Sequence, residues 1–227
     1  MSSSPKEIFN GVYQLNDNIA TANLVYGQKV YNEQLIDLTD KQLRIWNPFR
    51  SKLAAAIIKG LEDLPIQPGS KVLYLGASTG TTASHVSDIV GEDGIVFCVE
   101  FAKRSMMDLI KVCQYRQNMI PLLADARLPN TYSLPIDKEA NGNVDVIYQD
   151  VADDQQVRIL VENAKMYLSD RGHALICIKA RSINAIADPN VIFKSVIEEL
   201  GPHFNILSQI DLSPYDKDHL FLLLNKK

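Results

Sequence analysis

The chain has 227 residues, 46% hydrophobic and 22% charged, the balance of a globular protein long enough to bury a sizeable core. A formal net charge of −4 excludes nucleic-acid binding driven by an overall basic surplus, so any such role needs a local patch or a partner. No apolar run approaches the ~18 residues of a membrane span, and the start at Met1 lacks the basic and apolar regions of a signal peptide, so no membrane association and a cytoplasmic location are expected.

Residues 1–45 read as a small N-terminal β domain. Short apolar runs at 11–15, 20–26 and 34–38 are punctuated by Asn16-Asp17-Asn18 and Gly27, the texture of brief strands and turns. The remainder, 46–227, alternates between strand and helix. Asn47-Pro48 predicts a helix N-cap followed by proline at the first helical position, with Gly60 closing the helix and Lys52 near its first turn.

Strand 71–75 breaks into Gly76-Ala77-Ser78-Thr79-Gly80 and opens onto a helix at about 80–90, the form of a cofactor cradle. Gly76 permits the tight turn, and Gly80 lacks a Cβ where a ligand or a helix comes close. The nicotinamide fingerprint G-x-G-x-x-G requires glycine where Ser78 stands, so a different nucleoside cofactor stays open. Further along are strand 95–100, helix 103–117, strands 120–124 and 144–149, helix 154–168 and strand 173–178. Asp188-Pro189 starts another helix that Gly201 ends. Runs 204–212 and 220–224, joined by the turn at 213–216, then pair antiparallel. The predicted fold class is α/β: a mostly parallel, seven-stranded Rossmann-like sheet with a C-terminal antiparallel hairpin, the layout of methyltransferases rather than ordinary dehydrogenases.

Carboxylates close three of these strands. Glu100 follows Gly76 at the distance where an acid binds a nucleoside ribose, Asp125 follows the third strand and Asp150 the fourth. Three acids at one sheet edge repel a pyrophosphate and suit S-adenosylmethionine, whose sulfonium and ammonium are positive. Lys179 ends the apolar run from His173 and emerges at the same edge, where a lysine needs a carboxylate partner. Lys52 reads equally well as a solvated helix lysine. Cys98, Cys113 and Cys177 are odd in number and widely spaced, which argues against a disulfide framework or zinc site, and the first and last fall in buried runs. His85, His173 and His203 read as structural or solvated.

Four segments resemble the fibrillarin family: the run from Arg44 through Trp46 and Lys52 to Ile57, the turn Gly76 to Thr81, the run Val144 to Ala152, and Asp218-His219. The resemblance spans nearly the whole chain, and the missing Gly/Arg-rich leader makes it similar to the archaeal branch. It implies box C/D guide-directed 2′-O-methylation of ribosomal and transfer RNA with S-adenosylmethionine, and roles in processing both RNAs. It further implies a ribonucleoprotein with a Nop-domain scaffold protein, an L7Ae-type kink-turn-binding protein, guide RNA and target RNA. The family's catalytic Lys-Asp-Lys-His set falls on Lys52, Asp150, Lys179 and His219. Its cofactor contacts fall on Thr81, Thr82, Glu100, Phe101, Asp125, Ala126 and the loop Asp150, Val151, Ala152 and Asp153, together with the glycine turn. One departure is Asp153, where many members carry Gln. No metal is expected.

Two other classes stand beside this one: a nicotinamide oxidoreductase, which Ser78 and the terminal hairpin disfavour, and a catalytically idle RNA-protein scaffold.

Overall fold

The computed structural model describes residues 4–227, so the first three residues of the expected 1–45 unit, with the Met1 start read for a signal peptide, lie outside it. Five short strands form the first sheet: β1 (Lys6–Phe9), β2 (Val12–Leu15), β3 (Asn18–Ala22), β4 (Leu35–Asp37) and β5 (Gln42–Trp46), in the order β1-β2-β3-β5-β4. β1 and β5 were not anticipated. β5 hides because Gln42 and Arg44 are buried polar residues in the strand, which breaks the apolar signal. The expected strand at 20–26 stops at Ala22, because the Asn23 side chain bonds the Val25 N–H and the Gln28 carbonyl and turns the chain.

α1 runs Lys52–Ile58, later than predicted. Asn47 Oδ1 accepts the Phe49 N–H at 2.9 Å and its carbonyl accepts Arg50 N–H at 3.1 Å, so Asn47-Pro48 makes a self-contained turn instead of a cap. Ser51 is the N-cap, its hydroxyl accepting Ala54 N–H at 3.3 Å. Lys52 is therefore the first helical residue.

The second sheet contains β6 (Lys71–Leu75), β7 (Ile95–Glu100), β8 (Met119–Leu123), β9 (Val144–Gln149), β10 (Leu168–Lys179), β11 (Phe204–Asp211) and β12 (His219–Lys226), in the order β11-β12-β10-β9-β6-β7-β8. β6 to β10 are parallel, and β12 runs antiparallel to both β10 and β11. The central strands are buried on both faces by α2 (Thr81–Val90), α3 (Lys103–Cys113), α4 (Ser133–Ala140), α5 (Gln156–Tyr167), α6 (Ala180–Ile183) and α7 (Pro189–Leu200), which explains their continuous apolar runs. α4 was missed because Pro135 reads as a breaker, yet it sits in the first turn, where its absent N–H has no helical partner to lose. Cys98 and Cys177 are buried in the core, and none of the three cysteines forms a disulfide. Among the described residues, no helix is long and apolar enough to cross a membrane.

A buried polar cluster joins the two sheets. Arg44 on β5 pairs with Glu33 and with Asp88 on α2, both at 2.7 Å, and Arg116 holds the other Asp88 oxygen at 2.6 Å. Burial works against the Glu33 carboxylate, but Arg44 and the N–H groups of Tyr31 and Val30 hold its pKa below the usual value. His85 lies inside the cluster, stacked on Trp46 at 4.7 Å, with Thr21 and Tyr31 hydroxyls at its two ring nitrogens. Burial, then Arg44 and Arg116, push its pKa well below the ordinary value, so it stays neutral when folded. The unfolded chain takes up a proton below about pH 6.5 that the folded chain refuses, so His85 supports stability above that pH and costs about 1.4 kcal/mol per pH unit below it. Urea unfolding at pH 7 and pH 5 should show a larger acid loss for wild type than for His85→Gln. Equal losses would contradict this assignment.

Candidate active site

The chain leaves β6 toward β7 on one side of the sheet and reaches β9 on the other, so the loops after β6 and β9 flank the switch point where α/β proteins bind ligands. Gly76 has φ +84°, and a Cβ there would meet the Asp150 carbonyl oxygen at 2.9 Å. The glycine turn and the Asp150 loop are thus locked face to face. Gly80 serves a different purpose from Gly76: its φ is +89°, and a Cβ would meet Leu109 of α3 at 3.0 Å. Of the two alternatives for Gly80, close helix approach is the one the structure adopts, and this residue lines neither cavity at the turn.

A cavity of about 270 Å³ lies on one side of the turn, lined by Gly76, Ser78, Glu100, Phe101, Asp125, Ala126 and the whole run Asp150 to Asp153. Glu100 is buried, its two carboxylate oxygens accepting N–H groups of Ser78 at 2.8 Å and Ala102 at 2.7 Å. Phe101 is 73% exposed beside it, an aromatic face held out at the rim. Asn163 on α5 donates to the Ala126 carbonyl and fixes that loop.

Sequence reasoning missed Arg127, which also lines this cavity. Its Nη2 lies 2.7 Å from Asp125 Oδ2 and its Nε bonds both carboxylate oxygens, and these hydrogen bonds hold the Asp125 pKa below the ordinary value. On its other side Arg127 Nη1 is 3.8 Å from Asp153. The spacing Asp125-Ala-Arg127 was a readable signal for the first pair. The second needs the fold.

Ala77, Thr79, Thr81 and Thr82 face a second cavity with Phe49, Lys52, Asp150 and Lys179. Three of the four predicted catalytic residues, from three distant segments, line this cavity, and the fourth, His219, stands at the same sheet edge without lining it. Lys179 Nζ is 2.8 Å from Asp150 Oδ1 and donates to the Asp150 carbonyl at 2.9 Å. Lys52 Nζ sits 3.3 Å from each Asp150 carboxylate oxygen. His219 is paired in register opposite Lys179 on β12, which brings it to the same edge. Burial lowers the Lys52 pKa, but Asp150 and Asp216 outweigh it, so the value is raised and the ammonium is firmly charged. Underneath, Tyr74 and Tyr148 pack ring against ring at 4.5 Å, and burial followed by the Asp150 charge pushes the Cys177 thiol up to about 12.

Two supporting residues were not foreseen. Gln156, fully buried, accepts the Lys179 N–H at 2.9 Å and donates to the carbonyls of Asp153 and Lys179. It ties the end of β10 to the Asp150 loop. The Asp216 carboxylate lies within ion-pair distance of both Lys52, at 3.3 Å, and His219, at 2.9 Å.

A parallel sheet whose C-terminal hairpin reverses, with an acid-lined cavity at its switch point, defines the class of Rossmann-like S-adenosylmethionine-dependent methyltransferases. The sequence profile of the Fibrillarin family matches residues 3–227, and the chain belongs to that family. It is 47% identical over 226 residues to the fibrillarin-like rRNA/tRNA 2′-O-methyltransferase of Thermococcus onnurineus, covering 97% of this chain and 98% of that protein. The crystal structure of Aeropyrum pernix fibrillarin with natively bound S-adenosyl-L-methionine is 42% identical, with a TM-score of 0.87 over 99% of each chain. The fibrillarin of a fibrillarin/Nop5p complex is 40% identical, with a TM-score of 0.89 over 98% of this chain and 100% of that one.

Proposed function

We propose that this protein transfers a methyl group from S-adenosylmethionine to ribose 2′-hydroxyls of ribosomal and transfer RNA, at sites chosen by a box C/D guide RNA. The observation that carries this reading is the convergence of Lys52, Asp150, Lys179 and His219 beside an acid-lined cavity. The residues present fit the cofactor: Gly76 lets the glycine turn close onto the Asp150 backbone and shape the cavity wall, and Glu100 and Asp150 suit a cationic, phosphate-free ligand. The A. pernix relative with its bound S-adenosylmethionine supports the same assignment.

Glu100, oriented by two N–H donors, retains lone pairs for the ribose hydroxyls. Phe101 would stack on the adenine, and Asp125, Ala126, Val151, Ala152 and Asp153, which line the same cavity, would hold that end of the cofactor. The turn Ala77, Ser78, Thr79 with Thr81 and Thr82 would hold the methionine end, whose carboxylate suits the N–H groups at the start of α2. The cofactor supplies an electrophilic methyl. Lys179, held by Asp150, orients the RNA hydroxyl and stabilises negative charge developing on its oxygen. Lys52 and His219 orient the acceptor ribose and its phosphate.

The net charge of −4 leaves RNA capture to partners. The Nop5p complex of a relative supports a Nop-domain scaffold. The family resemblance adds an L7Ae-type kink-turn-binding protein, guide RNA, roles in RNA processing and a cytoplasmic location to the same proposal. Titration calorimetry tests the cofactor: S-adenosylmethionine should bind and NADH should not. The reverse result would sink the reading.

The glycine turn gives a sharper test of the cradle. In Gly76→Ala the new Cβ meets the Asp150 backbone at 2.9 Å in a left-handed conformation, so S-adenosylmethionine affinity should fall about tenfold or more. Unchanged affinity in calorimetry would place the cofactor elsewhere.

A further inference from the structure

We propose that Asp216 is a positioning residue of the methyl-transfer site, setting His219 and Lys52 through its two carboxylate oxygens; the proposal rests on the methyltransferase reading. Asp216 Oδ1 is 2.9 Å from His219 Nδ1, and Oδ2 is 3.3 Å from Lys52 Nζ. The result is a run of alternating charge across the sheet edge, Lys179, Asp150, Lys52 and Asp216, that ends on the His219 imidazole.

Each link has a physical reason. Asp150 alone faces two ammonium groups, Lys52 and Lys179. Lys52 is also the first residue of α1, where the helix dipole opposes a cation. A second carboxylate on the far side of Lys52 holds its ammonium between two anions instead of letting it swing toward solvent.

The same carboxylate lies against the imidazole. His219 Nδ1 lies 2.7 Å from the Lys217 carbonyl as well as 2.9 Å from Asp216. A carbonyl and an ionised carboxylate only accept, so Nδ1 carries the hydrogen and the neutral ring offers Nε2 as its acceptor. A carboxylate behind an imidazole orients the ring and stabilises its protonated form in hydrolases.

The turn bearing Asp216 is itself anchored. N–H groups of Tyr215 and Asp216 bond the Leu212 carbonyl, and the Tyr215 ring meets Phe49 edge-on at 5.0 Å, against the segment that leads into α1. Arg181 takes Asp218 at 2.9 Å, so that neighbouring carboxylate is engaged elsewhere and Asp216 is left to His219 and Lys52.

The test uses the assembled particle with guide and target RNA, in single turnover at saturating cofactor. Asp216→Asn keeps shape and loses charge. It should slow transfer about tenfold to a hundredfold, the size of loss seen when the partner behind a metal-bound imidazole is removed, while leaving S-adenosylmethionine affinity unchanged in calorimetry. Asp216→Glu should recover most of the rate. Adding Asp216→Asn to His219→Gln should slow transfer by less than Asp216→Asn slows the wild type, because only its contact to Lys52 is then left to lose. Independent, multiplying losses would overturn the proposal, as would full activity of Asp216→Asn. A wild-type particle that transfers no methyl would instead overturn the methyltransferase reading itself.

Discussion

Lys179→Ala is expected to lower single-turnover methyl transfer by about 10²- to 10⁴-fold, the range for a group that moves a proton or stabilises developing charge. The lysine is 16% exposed and makes two contacts to Asp150, one to the carboxylate at 2.8 Å and one to the backbone carbonyl at 2.9 Å. These fix its Nζ without help from the substrate, so its loss should fall on the chemical step. Affinity for S-adenosylmethionine should change by less than about threefold, since transition-state contacts alone set the rate. Lys179→Arg should not rescue, because the planar guanidinium cannot reproduce a compact ammonium held in two places. Asp150→Asn should be at least as severe, leaving both Lys52 and Lys179 without the anion between them. Variants that bind cofactor and assemble normally yet transfer methyl at the wild-type rate would remove this pair from the site.

Arg44→Met is the largest stability change expected outside the site. Arg44, Glu33, Asp88 and Arg116 have side chains that are 0–1% exposed, so each charge is neutralised by its partners in the cluster rather than by water, with neighbouring N–H and hydroxyl donors adding to the carboxylates. Removing Arg44 strips Glu33 of its cation and leaves Asp88 with Arg116 alone. Breaking such a buried pair costs about 3–5 kcal/mol. Urea unfolding should show a loss of that size, and a second change, Glu33→Gln, should recover part of it by removing the orphaned charge. A loss below about 1 kcal/mol would mean that water enters the cluster. The same residues fasten β3 and β5 to α2, through Thr21, His85 and Asp88, so the N-terminal sheet should loosen with them.

The sequence displayed the parallel sheet because each central strand is buried on both faces and reads as an unbroken apolar run ending in a polar residue. Glu100, Asp125, Asp150 and Lys179 were legible for that reason: strand punctuation alone sends them to one edge. The catalytic grouping of Lys52 and His219 came through family resemblance, since nothing local says that position 52 meets position 150. Position 216 escaped both routes. It looked like a turn residue, and its partners are fixed only when β12 pairs with β10 and brings His219 opposite Lys179. β5 and the Arg44 cluster escaped because burial of charge inverts the pattern from which strands are read. The shift of α1 from Pro48 to Lys52 reflects competition between two adjacent caps, Asn47 and Ser51, which bond at 2.9 and 3.3 Å to different N–H groups.

The central claim is that the protein, within its guided particle, methylates a ribose 2′-hydroxyl. The most direct measurement follows labelled methyl from S-adenosylmethionine into two target RNAs that differ only at the guided nucleotide, one bearing the 2′-hydroxyl and one 2′-deoxy. The account predicts label at that ribose in the first RNA and none in the second. Label in both, or on a base, would contradict it.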